Sequence, residues 1–215
     1  MIGLVLAGGA SRRMGVDKLW LPVDNSGKPM VVHVVETVLQ VAAPTYVVHA
    51  PEAQGRFSTS LKSSVATSVR LLADETAHQG PLAALAHALG HISMVPEDAF
   101  VIAPGDIPGL CKRVLASALT TLLANDDLDA ALITRDNRLQ PLLGAYRGTM
   151  IRPLLTAVEQ GESRLLRVLN EMSVRRIGRV CDDKWLPAWS QPVHTPLEYE
   201  AWRKEAGLDA PGDTC

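Results

Sequence analysis

The run IGLVLA at residues 2–7 is apolar from end to end and stops at glycine. A strand that shows no polar alternation has no solvent face, so it must be covered on both sides. AFVIAPGDIP (99–108) reads as another buried strand, ending at a Pro-Gly-Asp turn, and LDAALIT (128–134) as a strand. Further strands are read at TYVVHA (45–50), VRLLAD (69–74), PLLGAYRG (141–148) and the short VRRIGRV (174–180). Helical patterns fall between them: 29–42, 81–92, 110–124, 150–161, 163–172 and 195–207, with a weak helix or loop after residue 50. In 81–92, Leu82, Leu85, Leu89 and Ile92 share one face. In the last helix, Thr195 is placed to cap, Pro196 to sit in the first turn and Gly207 to end it. Strands alternating with helices predict an α/β fold with three α/β/α layers and a mostly parallel, mixed sheet.

At 215 residues the chain reads as one domain over 1–207, with a disordered tail at 208–215. A formal charge of -2 argues against a nucleic-acid binder, which shows a broad basic surface. No apolar run approaches the ~18 residues of a membrane span, and the first residues lack the basic leader of a signal peptide. Cys111, Cys181 and Cys215 match neither a zinc spacing nor a disulfide framework, so a cytoplasmic location is expected.

In open α/β sheets, ligands bind beyond the carboxyl ends of the strands. The unusual residues cluster there. LAGGASRRMGVDK follows the first strand and places Arg12, Arg13 and Lys18 within seven residues of one another. It is neither a Walker A loop nor a GxGxxG fingerprint. Glycine permits close backbone approach, successive N–H groups make an anion-binding concavity, and the cations add charge-assisted bonds. A phosphate ligand is the expectation. Asp74 ends another strand, and Asp106 lies in the Pro-Gly-Asp turn after a third.

These motifs resemble the nucleotidyltransferases of the molybdenum cofactor guanylyltransferase family. L-A-G-G-x-S-x-R-M-G-x-D-K matches the signature. Gln79-Gly80-Pro81-Leu82-Ala83 is similar to a G-P-L-A helix start. Pro104-Gly105-Asp106-Ile107-Pro108 is similar to P-C-D-x-P, Arg138-Leu139-Gln140-Pro141-Leu142 to R-x-Q-P-L, and His194-Thr195-Pro196 to N-T-P. The resemblance spans residues 2–207 and implies a Rossmann-like nucleotidyltransferase fold. It implies transfer of GMP from GTP to the terminal phosphate of molybdopterin or molybdenum cofactor, with release of pyrophosphate. Mg²⁺ is the implied cofactor, with molybdoenzymes or their maturation factors downstream.

By the same resemblance, Leu6, Ala7, Gly8 and Gly9 lie against the nucleoside, Gly8 favouring guanine where cytidylyltransferases carry alanine. Lys18 contacts the triphosphate with Arg13 beside it. Asp106 holds Mg²⁺, Asp74 contacts the nucleotide, and Arg138, Gln140 and Arg164 face the acceptor. His49 and His194 stand where the family keeps asparagine. His49 can partly replace it in binding nucleotide. His194 is a softer ligand than Mg²⁺ prefers, and is expected to touch product phosphate or nothing. His87 and His91, spaced i,i+4, are expected to be solvated, and Trp185, Trp189 and Trp202 to pack the C-terminal layer. The alternative functions are cytidylyl transfer, transfer to a sugar phosphate, or a non-catalytic nucleotide-binding subunit that delivers cofactor.

Overall fold

The computed structural model describes residues 1–8, 16–61, 67–74, 79–178 and 187–206. Seven strands form one sheet in the order β3-β2-β1-β4-β6-β5-β7. They are β1 Ile2–Ala7, β2 Thr45–His49, β3 Val69–Ala73, β4 Ala99–Pro104, β5 Ala130–Arg135, β6 Arg138–Arg147 and β7 Val174–Ile177. β1 pairs in parallel with β2 and β4, β2 with β3, and β5 with β7. β6 runs antiparallel to both its neighbours, which makes the sheet mixed as expected.

Helices cover both faces. α1 (Met30–Leu39), α2 (Gln54–Ser60) and α4 (Lys112–Leu123) pack on one side, where Val5, Val47, Val101 and Ala131 point. α3 (Pro81–Gly90), α5 (Ile151–Glu159) and α6 (Leu165–Leu169) pack on the other, against Leu4, Val48, Phe100 and Leu132. This split is the period-2 alternation of each buried strand. α7 (Pro196–Glu205) opens a third cluster: its Tyr199 and Trp202 bury against Val23, Met30 and Val193. The Tyr199 hydroxyl donates to the Pro22 carbonyl. Trp202 therefore packs the C-terminal layer as expected and Trp189 is partly buried against the main core, while Trp185 lies outside the described residues.

Some boundaries move. β6 starts three residues before the sequence indicates, and helix 163–172 contracts to Leu165–Leu169. The register between β5 and β6 shifts between Leu132 and Thr134, and Pro141 lies in the stretch of β6 opposite that shift. A bulge is where a strand tolerates proline, which has no N–H for the ladder. Gly144 is required nearby: its φ is +149°, and a Cβ would stand 2.3 Å from the Ala131 carbonyl oxygen. His87 departs from its expected solvation, being half-buried with Nε2 at 3.2 Å from the Ala73 carbonyl. His91 is exposed. Among the described residues no helix is long and apolar enough to cross a membrane.

Candidate active site

β1 and β4 are neighbours, yet the chain leaves β1 toward β2 on one side and reaches β4 on the other. That is a topological switch point, where a crevice opens at the carboxyl ends of the strands. Gly8 leaves β1 there, and Gly105-Asp106 leaves β4. The Gly105 N–H donates to the Leu6 carbonyl at 2.9 Å, which ties the two exits together. A Cβ on Gly105 would lie 3.3 Å from that same oxygen, so glycine keeps the turn close.

Lys18 opens a 3₁₀ turn (Lys18–Trp20) whose cap, Asp17, accepts from the Leu19 N–H. Its ammonium crosses the crevice. Nζ donates to Asp106 Oδ2 at 2.6 Å, to the Val193 carbonyl at 2.9 Å and to His194 Nδ1 at 2.9 Å. The Lys18 and Asp106 side chains are each only 15% exposed, so water screens the pair weakly. Asp106 Oδ1 is buried and finds no hydrogen-bond partner among the described residues. The segment carrying Val193 is pinned to the same turn, because the Val193 N–H donates to the Asp106 carbonyl at 2.9 Å. Beyond it, Thr195 and Glu198 form a capping box, and Glu198 also accepts from the His194 N–H at 2.7 Å. These bonds to His194 and Thr195 outweigh partial desolvation and hold the Glu198 carboxyl below its ordinary range.

Leu6 and Ala7 are buried at the end of β1, and Gly8 is exposed. A Cβ on Gly8 would lie 3.4 Å from Asp74 Oδ2, so Asp74 reaches from the end of β3 to the exit of β1. His49 lies between them, paired in register with Ala7, and is fully buried. Its Nδ1 donates to the Ala50 carbonyl at 2.8 Å, its ring lies 5.4 Å from Phe57, and Nε2 has no partner among the described residues. Arg56 stacks over Trp20 at 4.2 Å and pairs with Asp17 at 3.2 Å, which fastens α2 to the Lys18 turn. Gly9, Arg12 and Arg13 lie outside the described residues.

Arg138 and Gln140 begin β6 just after a tight turn at Asp136 and Asn137, both at positive φ. That hairpin projects from the carboxyl edge, on the β4 side of the crevice. Arg138 is exposed, and Gln140 Nε2 donates to its carbonyl at 3.1 Å. Arg164 is exposed at the start of α6, and the neighbouring Ser163 carbonyl faces Gly80 at the start of α3. The structure thus joins Lys18, Asp106 and His194 in one contact set, Gly8 and Asp74 in a second, and leaves Arg138, Gln140 and Arg164 around the same edge. The Val193 carbonyl went unpredicted. A backbone oxygen carries no residue signature, and the adjacent helix-start pattern was the only hint.

Among the described residues no group of three or more His, Cys, Asp or Glu gathers as a metal cluster. A single hard carboxylate still suits Mg²⁺, which keeps its waters and draws further oxygens from phosphates. The buried, unpartnered Asp106 Oδ1 fits that role.

Comparison with known proteins bears on the family and the fold. The MobA-like NTP transferase domain matches residues 3–176. The molybdenum cofactor guanylyltransferase of Shewanella sp. (strain MR-4) is 29% identical over 163 residues, covering 75% of this chain and 76% of its own length. A probable molybdenum cofactor guanylyltransferase of Mycobacterium marinum is 28% identical over 177 residues, covering 82% and 83%. Molybdopterin-guanine dinucleotide biosynthesis protein A from Archaeoglobus fulgidus superposes with a TM-score of 0.71 at 24% identity, covering 95% of this chain and 98% of that one. CMP:2-keto-3-deoxy-manno-octonic acid synthetase, solved with CTP, superposes with a TM-score of 0.67 at 18% identity, covering 97% and 98%. These two likenesses show the fold.

Proposed function

Because the chain belongs to the MobA-like NTP transferase family and is a nucleotidyltransferase, we propose that it transfers GMP from GTP to molybdopterin or molybdenum cofactor. The product is a molybdopterin guanine dinucleotide. An oxygen of the acceptor's terminal phosphate attacks the α-phosphorus of GTP. The bond from that phosphorus to the bridging oxygen breaks, and pyrophosphate leaves with the electron pair. The nucleophile is already an anion, so no general base is required. What the reaction needs is alignment of two polyanions and stabilisation of the leaving charge.

The observation that carries the reading is the Lys18–Asp106 pair at the switch point. Lys18 is a long-stemmed cation on a capped turn, placed to trade its protein acceptors for triphosphate oxygens. Asp106 would hold Mg²⁺ through its carboxylate, whose Oδ1 has no hydrogen-bond partner among the described residues. The ion would supply positive charge to offset that of the phosphates and of the leaving pyrophosphate. Gly8 and Asp74 face each other where the base would enter, with Leu6 and Ala7 beneath. Arg138, Gln140 and Arg164 would receive the acceptor phosphate, and Arg13 would join Lys18. The reaction would run in the cytoplasm, with molybdoenzymes or their maturation factors receiving the product.

A nucleotide panel with molybdopterin as acceptor tests the proposal. GTP should support pyrophosphate release and CTP should not. Preference for CTP overturns the guanine assignment. GTP binding without pyrophosphate release, whatever acceptor is supplied, overturns catalysis.

A further inference from the structure

The ammonium of Lys18 is held by three acceptors of different chemistry: a carboxylate oxygen, a backbone carbonyl and an imidazole nitrogen. They converge on one point from separate elements, the β4 exit and the segment before α7. A protonated lysine only donates, so His194 Nδ1 must present its lone pair, with the proton on Nε2. That is also the form in which imidazole binds a metal. The donors do not depend on Lys18 for their placement. Val193 is fully buried and bonded to the Asp106 backbone, and the His194 N–H is held by Glu198. The His194 side chain itself is about half exposed and lies 3.5 Å from Asp106 Oδ2.

Such a set is a cation cradle whose present occupant is the chain's own ammonium. We propose that His194 is a metal-binding residue: with Asp106 and the Val193 carbonyl it forms a mixed nitrogen-oxygen site. The site selects Mn²⁺ over Mg²⁺ once Lys18 moves to the triphosphate. The inference rests on the nucleotidyl-transfer reading and refines its metal. Mg²⁺ is a hard ion that prefers oxygen donors and near-ideal octahedral geometry. Mn²⁺ shares the taste for carboxylate, carbonyl and phosphate oxygens, and as a first-row transition ion it gains more from a nitrogen donor. An asparagine at this position would offer oxygen and no such preference.

The test uses the full chain labelled uniformly with ¹⁵N, Mn²⁺, and an unlabelled α,β-methylene analogue of GTP. Pulsed electron paramagnetic resonance should show a directly bound ¹⁵N, a coupling the unlabelled guanine cannot produce. His194→Asn should abolish it while still binding the Mn²⁺–analogue complex through Asp106. The Mg²⁺ concentration needed to displace half of the bound Mn²⁺ should fall ~10-fold or more, the usual scale for losing a residue that supports a metal. His194 is half exposed, so the variant should melt with the parent. If it does not fold, the labelled parent decides the matter by itself. Bound Mn²⁺ and analogue without ¹⁵N coupling, or equal Mg²⁺ displacement in the two proteins, overturns the inference and leaves the nucleotidyl-transfer reading standing. Failure of the parent to bind the analogue overturns both.

Discussion

Replacing Lys18 with methionine should separate catalysis from stability. The change removes three donated hydrogen bonds but keeps an unbranched chain of similar length on the 3₁₀ turn. Among the described residues it leaves Asp106 with one carboxylate oxygen already unpartnered and the other facing His194 at 3.5 Å. Stranding one member of a charged hydrogen bond costs roughly 1–3 kcal/mol. The 15% exposure of Asp106 lets water recover part of that, so we take about 2 kcal/mol. In a domain of this size that lowers Tm by ~4–8 °C and leaves the native state dominant at 25 °C. Turnover should fall far further, by ~10²–10³, because a preorganised donor to the developing charge is gone. The control is Asp24→Ala. Asp24 Oδ1 accepts from the Ser26 N–H, the Ser26 hydroxyl and the Lys28 N–H, a turn away from the chemistry. Losing such a cap costs a similar ~0.5–2 kcal/mol. Pyrophosphate release from GTP and thermal melts are measured on both variants. If Lys18→Met keeps more than a tenth of parental turnover, or if Asp24→Ala loses as much, the assignment of Lys18 to the triphosphate is wrong.

Three further outcomes are expected. Gly8→Ala places a Cβ at ordinary contact distance, 3.4 Å, from Asp74 Oδ2. Its Tm should match the parent while KM for GTP rises, and an unchanged KM would remove Gly8 and Asp74 from the base site. Thr195→Ala breaks the capping box of α7; it should cost ~1 kcal/mol, or ~2–4 °C in a melt, and no loss would mean that Glu198 holds the helix start alone. His33 donates from Nε2 to the Leu110 carbonyl at 2.8 Å, and burial pushes its pKa below 6.5 despite that carbonyl. The fold thus prefers neutral His33. Its contribution is complete above pH 6.5 and is lost as pH falls from there through the folded-state value. Urea midpoints at pH 7.5 and 5.5 should differ less in His33→Gln than in the parent, and equal differences would refute the assignment.

Much of this molecule was legible because its signals are local. The apolar runs ending at Ala7 and Pro104 read as strands covered on both faces, and Gly8 and Asp106 then fall at the edge where such sheets bind ligands. Thr195-Pro196 announces a helix start in two residues, and the structure adds Glu198 as the other half of a capping box. The start of β6 was hidden because Arg138 to Pro141 carries polar residues and a proline, tolerated opposite the register shift in β5. The partners of Lys18 were hidden for a different reason: Asp106 is 88 residues away and His194 is 176. Periodicity carries no information at that range. Nor does it show that His49, a polar residue at a strand end, is fully buried against Phe57.

The segment that carries Val193 and His194 follows all seven strands in chain order. Synthesis runs from the N-terminus, so the seven strands and the Lys18 turn are made before Val193 and His194. Until those residues arrive, two of the three acceptors described for Lys18 are missing. A chain halted before Val193 would contain every strand and most of the core yet lack two of the donors around its cation. Completion of the site therefore coincides with docking of Tyr199 and Trp202 on Val23 and Met30. Partly synthesised copies would carry all seven strands of the sheet and still be unable to assemble the full donor set.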